Sequence, residues 1–91
     1  MLENDIDEVL QECETLPYWW DLSATRQLCI ADLVFNMGLT RWLGFVKANA
    51  AIVARDYGRA ADEIKDSRYY RQTKRRARKI TEAFRTDHWP D

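Results

Sequence analysis

Apolar residues recur along this chain at intervals of three and four positions, the spacing of one face of an α-helix. Ile6, Val9, Leu10 and Cys13 keep that spacing through residues 4–14, with acids between them. Asn4 is placed to cap this helix, and Asp5, Asp7 and Glu8 suit its N-terminus electrostatically. Pro17 stops it. After an aromatic link, Tyr18-Trp19-Trp20, Ser23 is placed to cap a second helix that runs to Met37, with Gly38 as a left-handed C-terminal residue.

The second helix is apolar on nearly all sides, which predicts a place at the centre of a bundle. Leu28, Cys29, Ile30, Leu33, Val34 and Met37 are its expected core residues. Thr40 can cap a short helix carrying Trp42, Leu43 and Phe45, and another passes through Ala48, Ala51, Ile52 and Val53. Asp56 can cap Tyr57–Lys65. Asp66 or Ser67 opens a single turn through Gln72, and Thr73 caps a last helix over Lys74–Arg85. Trp89 is expected to fold back onto the bundle, and His88 to be exposed. Strand-type alternation is absent, and only three Gly and two Pro interrupt the pattern. The fold class is therefore all-α: a compact bundle of short helices around a buried central helix.

Ninety-one residues with 46% hydrophobic content suit one small domain. The net charge of −1 excludes an overall field that would steer the chain to nucleic acid or an anionic membrane. Charge is nevertheless segregated. Glu3, Asp5, Asp7, Glu8, Glu12 and Glu14 crowd the first helix, while Arg68, Arg71, Lys74, Arg75, Arg76, Arg78 and Lys79 crowd residues 68–79. These read as two solvated helix faces that can oppose each other. The basic run, with Tyr69 and Tyr70, also offers phosphate contacts and stacking platforms. A pI of about 5.8 argues against that nucleic-acid reading. Cys13 and Cys29 lack metal spacing and are expected to be buried free thiols. No signal peptide or membrane span is legible, which implies cytoplasmic synthesis, with action at the cell wall after release.

Little in the residues supports catalysis. A glycosidase needs a proton donor and a second carboxylate across the scissile bond. Glu63 and Asp66 lie one helical step apart but read as surface acids able to pair with Arg59, Lys65 or Arg68. Asp32, inside the apolar helix, is expected at a solvent edge or paired to a base. No phosphate loop, nucleophilic triad or metal cluster is present in the pattern, so no cofactor is expected. Phe35 and Asn36, ending the central helix at a glycine, can both face outward, as an aromatic face and a planar donor–acceptor that suit a sugar.

One further pattern runs through the chain in order: Phe35-Asn36-Met37-Gly38, Ala60-Ala61-Asp62-Glu63-Ile64, Asp66-Ser67-Arg68-Tyr69-Tyr70-Arg71-Gln72-Thr73, Arg76-Ala77-Arg78, and Phe84-Arg85-Thr86 with Trp89. It resembles the carboxyl-terminal lobe of the phage-type lysozymes, two-lobed muramidases of peptidoglycan. The resemblance implies a lobe over residues 17–91, with residues 1–16 as a remnant of the inter-lobe helix. It implies that Phe35, Asn36, Arg68 and Thr73 line a glycan cleft. Ala48 and Glu63 stand where some relatives place sugar-contacting polar groups, so binding is expected to be weak or altered. Nothing here matches the family's catalytic glutamate or its hairpin, so no independent activity is expected.

The implied partners are a peptidoglycan strand and either a second copy of the chain or a separately encoded catalytic lobe. Trp19 and Trp20 are the expected partner surface. An interaction module that reuses the lobe is the alternative, and a piece of a longer muramidase fits the same pattern.

Overall fold

The computed structural model describes residues 2–89, with side chains from Asp7 onward. Helix α1 spans Leu2–Glu14, α2 Ala24–Met37, α3 Leu39–Leu43, α4 Val46–Val53, α5 Tyr57–Lys65 and α6 Arg68–Thr86. A single 3-10 turn, Trp19–Asp21, joins α1 to α2. The described residues contain no strand, in agreement with the all-α expectation. The radius of gyration, 12.1 Å, equals the roughly 12 Å of a compact domain of this length.

Side-chain caps mark the starts of α2, α5 and α6. Ser23 Oγ accepts the Arg26 N–H at the start of α2, Asp56 Oδ1 accepts the Arg59 N–H at the start of α5, and Ser67 Oγ accepts the Tyr70 N–H at the start of α6. Asn4 is no cap, because α1 begins at Leu2; the side chains of Asn4, Asp5 and Ile6 lie outside the described set. Thr40 is no cap either, because α3 starts at Leu39 directly after Gly38. Gly38 has φ 89° and ψ 153°, positive φ as expected but outside the left-handed helical basin. That region is open essentially to glycine alone, and it lets α2 end and α3 begin with no intervening loop.

The expected break at Thr73 and Lys74 is a kink within one long helix. Lys74 leaves helical geometry (φ 15°, ψ −74°), but α6 continues to Thr86. Thr73 Oγ1 donates back to the Tyr69 carbonyl at 2.9 Å rather than capping a new helix.

α2 packs against α1, α3 and α6, and α5 bridges α4 to α6. Cys29, Ile30, Leu33 and Val34 enter the core as expected, with Trp42, Ile52, Ile64, Ile80 and Phe84. Leu28 does not: it is 57% exposed, and Met37 is only half-buried. The bundle covers three sides of α2, and the flank carrying Leu28 and Phe35 is left uncovered. Trp19 also departs from expectation. It is 5% exposed and belongs to the core, whereas Trp20 is 73% exposed. The tight turn aims adjacent tryptophans in opposite directions, so only Trp20 remains as surface.

Two polar networks tie the helices together. Trp42 Nε1 donates to Tyr18 Oη (2.8 Å), Tyr18 Oη donates to Asn49 Oδ1, and Asn49 Nδ2 donates to the carbonyls of Trp42 and Phe45. Arg26 spans from α2 to the end of α6. Its Nε donates to the Phe84 carbonyl (2.8 Å), and its guanidinium lies 4.0 Å over the Tyr57 ring. Cys13 and Cys29 are buried free thiols, as expected.

Candidate functional site

A cavity of about 520 Å³ opens where the end of α2, α3 and the first half of α6 meet. Asn36 and Met37 reach it from the last turn of α2, and Arg41 from α3. Phe45 borders it from the link to α4, and Arg68, Tyr69, Gln72 and Thr73 come from α6. The glycine turn swings α3 over the end of α2, the Ser67 cap fixes where α6 begins, and the four α6 residues share one helical face by their spacing. Beyond the Lys74 kink the same helix turns to core packing through Ala77, Ile80, Ala83 and Phe84. The kink therefore separates a cavity-lining segment from a core-packing segment.

Asn36 is held from behind. Its Nδ2 donates to the Asp32 carbonyl (2.7 Å) and more weakly to Asp32 Oδ1 (3.3 Å). Asp32 pairs with Arg76 of α6, which donates from Nε at 3.2 Å and from its terminal nitrogen at 2.5 Å. Asp32 is thus a paired group at a solvent edge, as expected, and its carboxylate raises the Arg76 pKa. Among the described residues no acidic side chain lines the cavity, while two guanidinium groups, Arg41 and Arg68, do. Tyr69 Oη is buried and has no hydrogen-bond partner among the described residues. Burial pushes its phenol above the ordinary value, and the nearby Thr73 hydroxyl opposes that rise.

Three of the four residues singled out from the sequence, Asn36, Arg68 and Thr73, meet at this cavity. Phe35 does not. It is 48% exposed and lines a separate shallow groove with Val9, Leu10, Leu28, Ala31 and Asp32. Consecutive helix residues are turned by about 100°, and here that turn points Phe35 toward the α1 side while Asn36 borders the cavity. Glu63 and Ala48 border a smaller recess with Gly44, Phe45, Val46 and Lys47; Phe45 connects it to the main cavity. Among the described residues neither Glu63 nor Asp66 forms an ion pair.

Arg41 was invisible to the pattern, because only the Gly38 turn brings α3 to α6. Gln72 follows Arg68 by four positions, and that spacing is legible once α6 is read as a continuous helix. Trp89 returns to the bundle beside Leu28, Arg76, Lys79 and Ile80. His88 is exposed.

Glu3 and Asp5 of the acidic run lie outside the described side chains. No ion pair among the described residues joins α1 to α6, and Arg76 alone of the basic run is paired. Among the described residues no group of His, Cys, Asp and Glu is placed to hold a metal, and no helix is long and apolar enough to cross a membrane.

Comparison with known proteins places this geometry in context. The chain is 32% identical over 85 residues to the pre-baseplate central spike protein Gp5 of Enterobacteria phage T4, covering 89% of this chain and 15% of that protein. It is 30% identical over 66 residues to the probable T4-type lysozyme 2 of Dictyostelium discoideum, covering 72% of this chain and 39% of that one. The chain is related in sequence to lysozyme-like proteins. It spans well under half the length of either relative. No family model matches it.

Proposed function

We propose that this chain is a peptidoglycan-recognition lobe of lysozyme type, equivalent to the carboxyl-terminal lobe of a phage-type muramidase and without catalysis of its own. Residues 17–91 form the lobe, and α1 corresponds to part of an inter-lobe helix. The observation that carries the reading is the meeting of Asn36, Arg68 and Thr73 at one cavity, although Arg68 and Thr73 follow Asn36 by 32 and 37 positions. Its size falls within the range of about 300–1,000 Å³ typical of ligand sites. Its lining combines planar donors, hydroxyls and an apolar floor of Met37 and Phe45, the mixture that holds sugars. Similarity to a T4-type lysozyme supports the same class of ligand.

The test is co-sedimentation of the chain with isolated peptidoglycan sacculi. Saturable binding is expected, lost in Asn36→Ala/Arg68→Ala and retained in Phe35→Ala, which alters a different groove. Absence of saturable binding by the unaltered chain overturns the reading.

The exposed groove of Leu10, Leu28 and Phe35 supports a second reading, a module that docks a second copy or a separate catalytic lobe. On that reading, sedimentation velocity shows association that Leu28→Ser/Phe35→Ser abolishes, with sacculus binding unchanged. A concentration-independent monomer excludes self-docking.

A further inference from the structure

We propose that the face formed by α1, α2 and α6 docks a second copy of this chain, with the acidic α1 of each copy lying against the basic flank of α6 in the other. The proposal rests on the docking reading above, not on glycan recognition, and it names the partner and its orientation.

The middle of this face is apolar. Leu10, Leu28, Phe35 and Trp89 are large apolar side chains left exposed, and they stand together here. Two shallow grooves run along the face. One, between α1 and α2, holds Leu10, Leu28 and Phe35. The other, between α2 and α6, holds Leu28, Ile80 and Trp89. Leu28 and Asp32 border both grooves and so form the ridge between them. Covering a lone Asp32 charge is unfavourable, but Arg76 neutralises it through two hydrogen bonds.

The flanks carry opposite charge. On α1, Asp7 and Glu14 lie three positions before and four after Leu10, so they continue its stripe along the helix. On α6, Lys79 lines the opposite groove, and Arg75 precedes it by one helical turn. None of these four side chains forms an ion pair among the described residues. Both flanks reach the same stretch of α2, because both grooves take in Leu28 and Asp32.

That layout selects one symmetric arrangement. Two copies that meet through the same face are related by a two-fold axis lying in the interface. An axis along α2 sets α1 of each copy against α6 of the other, acid against base, at the level of Leu28. An axis across α2 sets α1 against α1 and α6 against α6, like charge against like. Charge complementarity favours the first and rejects the second. A small sideways displacement of the axis seats each Leu28 ridge in the other copy's groove and keeps the acid–base pairing.

Sedimentation velocity of the full chain over a concentration series tests this arrangement. The unaltered chain is expected to associate reversibly, and less so as salt is raised from about 50 to 500 mM. Asp7→Lys/Glu14→Lys sets base against base and is expected to weaken association roughly tenfold or more, and Arg75→Glu/Lys79→Glu, which sets acid against acid, is expected to do the same. All four substitutions in one chain restore acid against base and are expected to restore association, a recovery that misfolding does not produce. The same charge change placed on α5, Arg59→Glu/Lys65→Glu, is expected to leave association unchanged.

Loss in both pairs with recovery in the fourfold variant supports the proposal. Association that neither pair alters, or loss without recovery, overturns it and leaves the docking reading standing. A monomer at every concentration overturns both, and sacculus binding remains the separate test of the glycan reading.

Discussion

Burying a hydroxyl without a partner costs a fold about 1–3 kcal/mol, and Tyr69 Oη is in that position. Tyr69→Phe is therefore expected to stabilise the free protein by roughly 1 kcal/mol, read from the shift in denaturant midpoint at constant slope. The two cysteines titrate in the opposite sense to a paired carboxylate. Burial pushes the Cys13 thiol up to about 11 and the Cys29 thiol up to about 12, from 9.0. Unfolded chains release these protons near pH 9 while the folded protein retains them. Stability is thus unaffected by these groups below that pH and falls as pH rises from 9 through 11 and 12. Replacing both thiols with alanine is expected to flatten that alkaline decline in a urea titration series, although it removes some packing. Asp32, by contrast, was legible: an acid within an apolar run needs either water or a base, and here it has a solvent edge and Arg76.

At the scale of elements, helices were readable because burial on one face imposes a period of three to four on the sequence, and because caps need particular side chains. Ser23, Asp56 and Ser67 perform the expected task. Thr73 does not, since its hydroxyl meets the carbonyl four residues back and α6 runs on past a kink. A cap signal and an internal back-bond use the same residue type, and only the surrounding backbone chooses between them. Gly38 illustrates a stronger constraint. A Cβ there meets nothing within 4 Å, so the expected loss in Gly38→Ala comes from backbone conformation alone, about 1–3 kcal/mol by thermal or urea unfolding. Because this turn also carries α3 and Arg41 to the cavity, the same variant is expected to weaken ligand binding beyond its effect on stability.

For the whole molecule, the uneven burial of aromatic residues gives a sharp contrast. Phe84 is fully buried against Tyr57, with ring centroids 5.7 Å apart, and Phe84→Ala is expected to destabilise by about 3–5 kcal/mol. Phe35, nearly half exposed, is expected to cost less than about 1 kcal/mol on the same change, since surface substitutions away from special features are usually within that bound. Parallel urea melts of the two variants check both values. The uncovered flank of α2 is also the place where sequence reasoning overreached: helix composition states how apolar a face is, not whether another element covers it.

The sequence alone determined the helical class, most helix boundaries, the burial of Cys29, Ile30, Leu33 and Val34, and three of the residues that border the cavity. Each follows from a local rule, periodic burial or a capping side chain, or from an ordered resemblance. Tertiary structure decided which adjacent aromatic turned inward, that Leu28 and Phe35 lie outside the core, and that Arg41 joins Arg68 and Tyr69 at one cavity. Those outcomes depend on how separate elements cross. Local spacing carries no information about that crossing until the backbone between them, above all at Gly38 and Lys74, has taken its course.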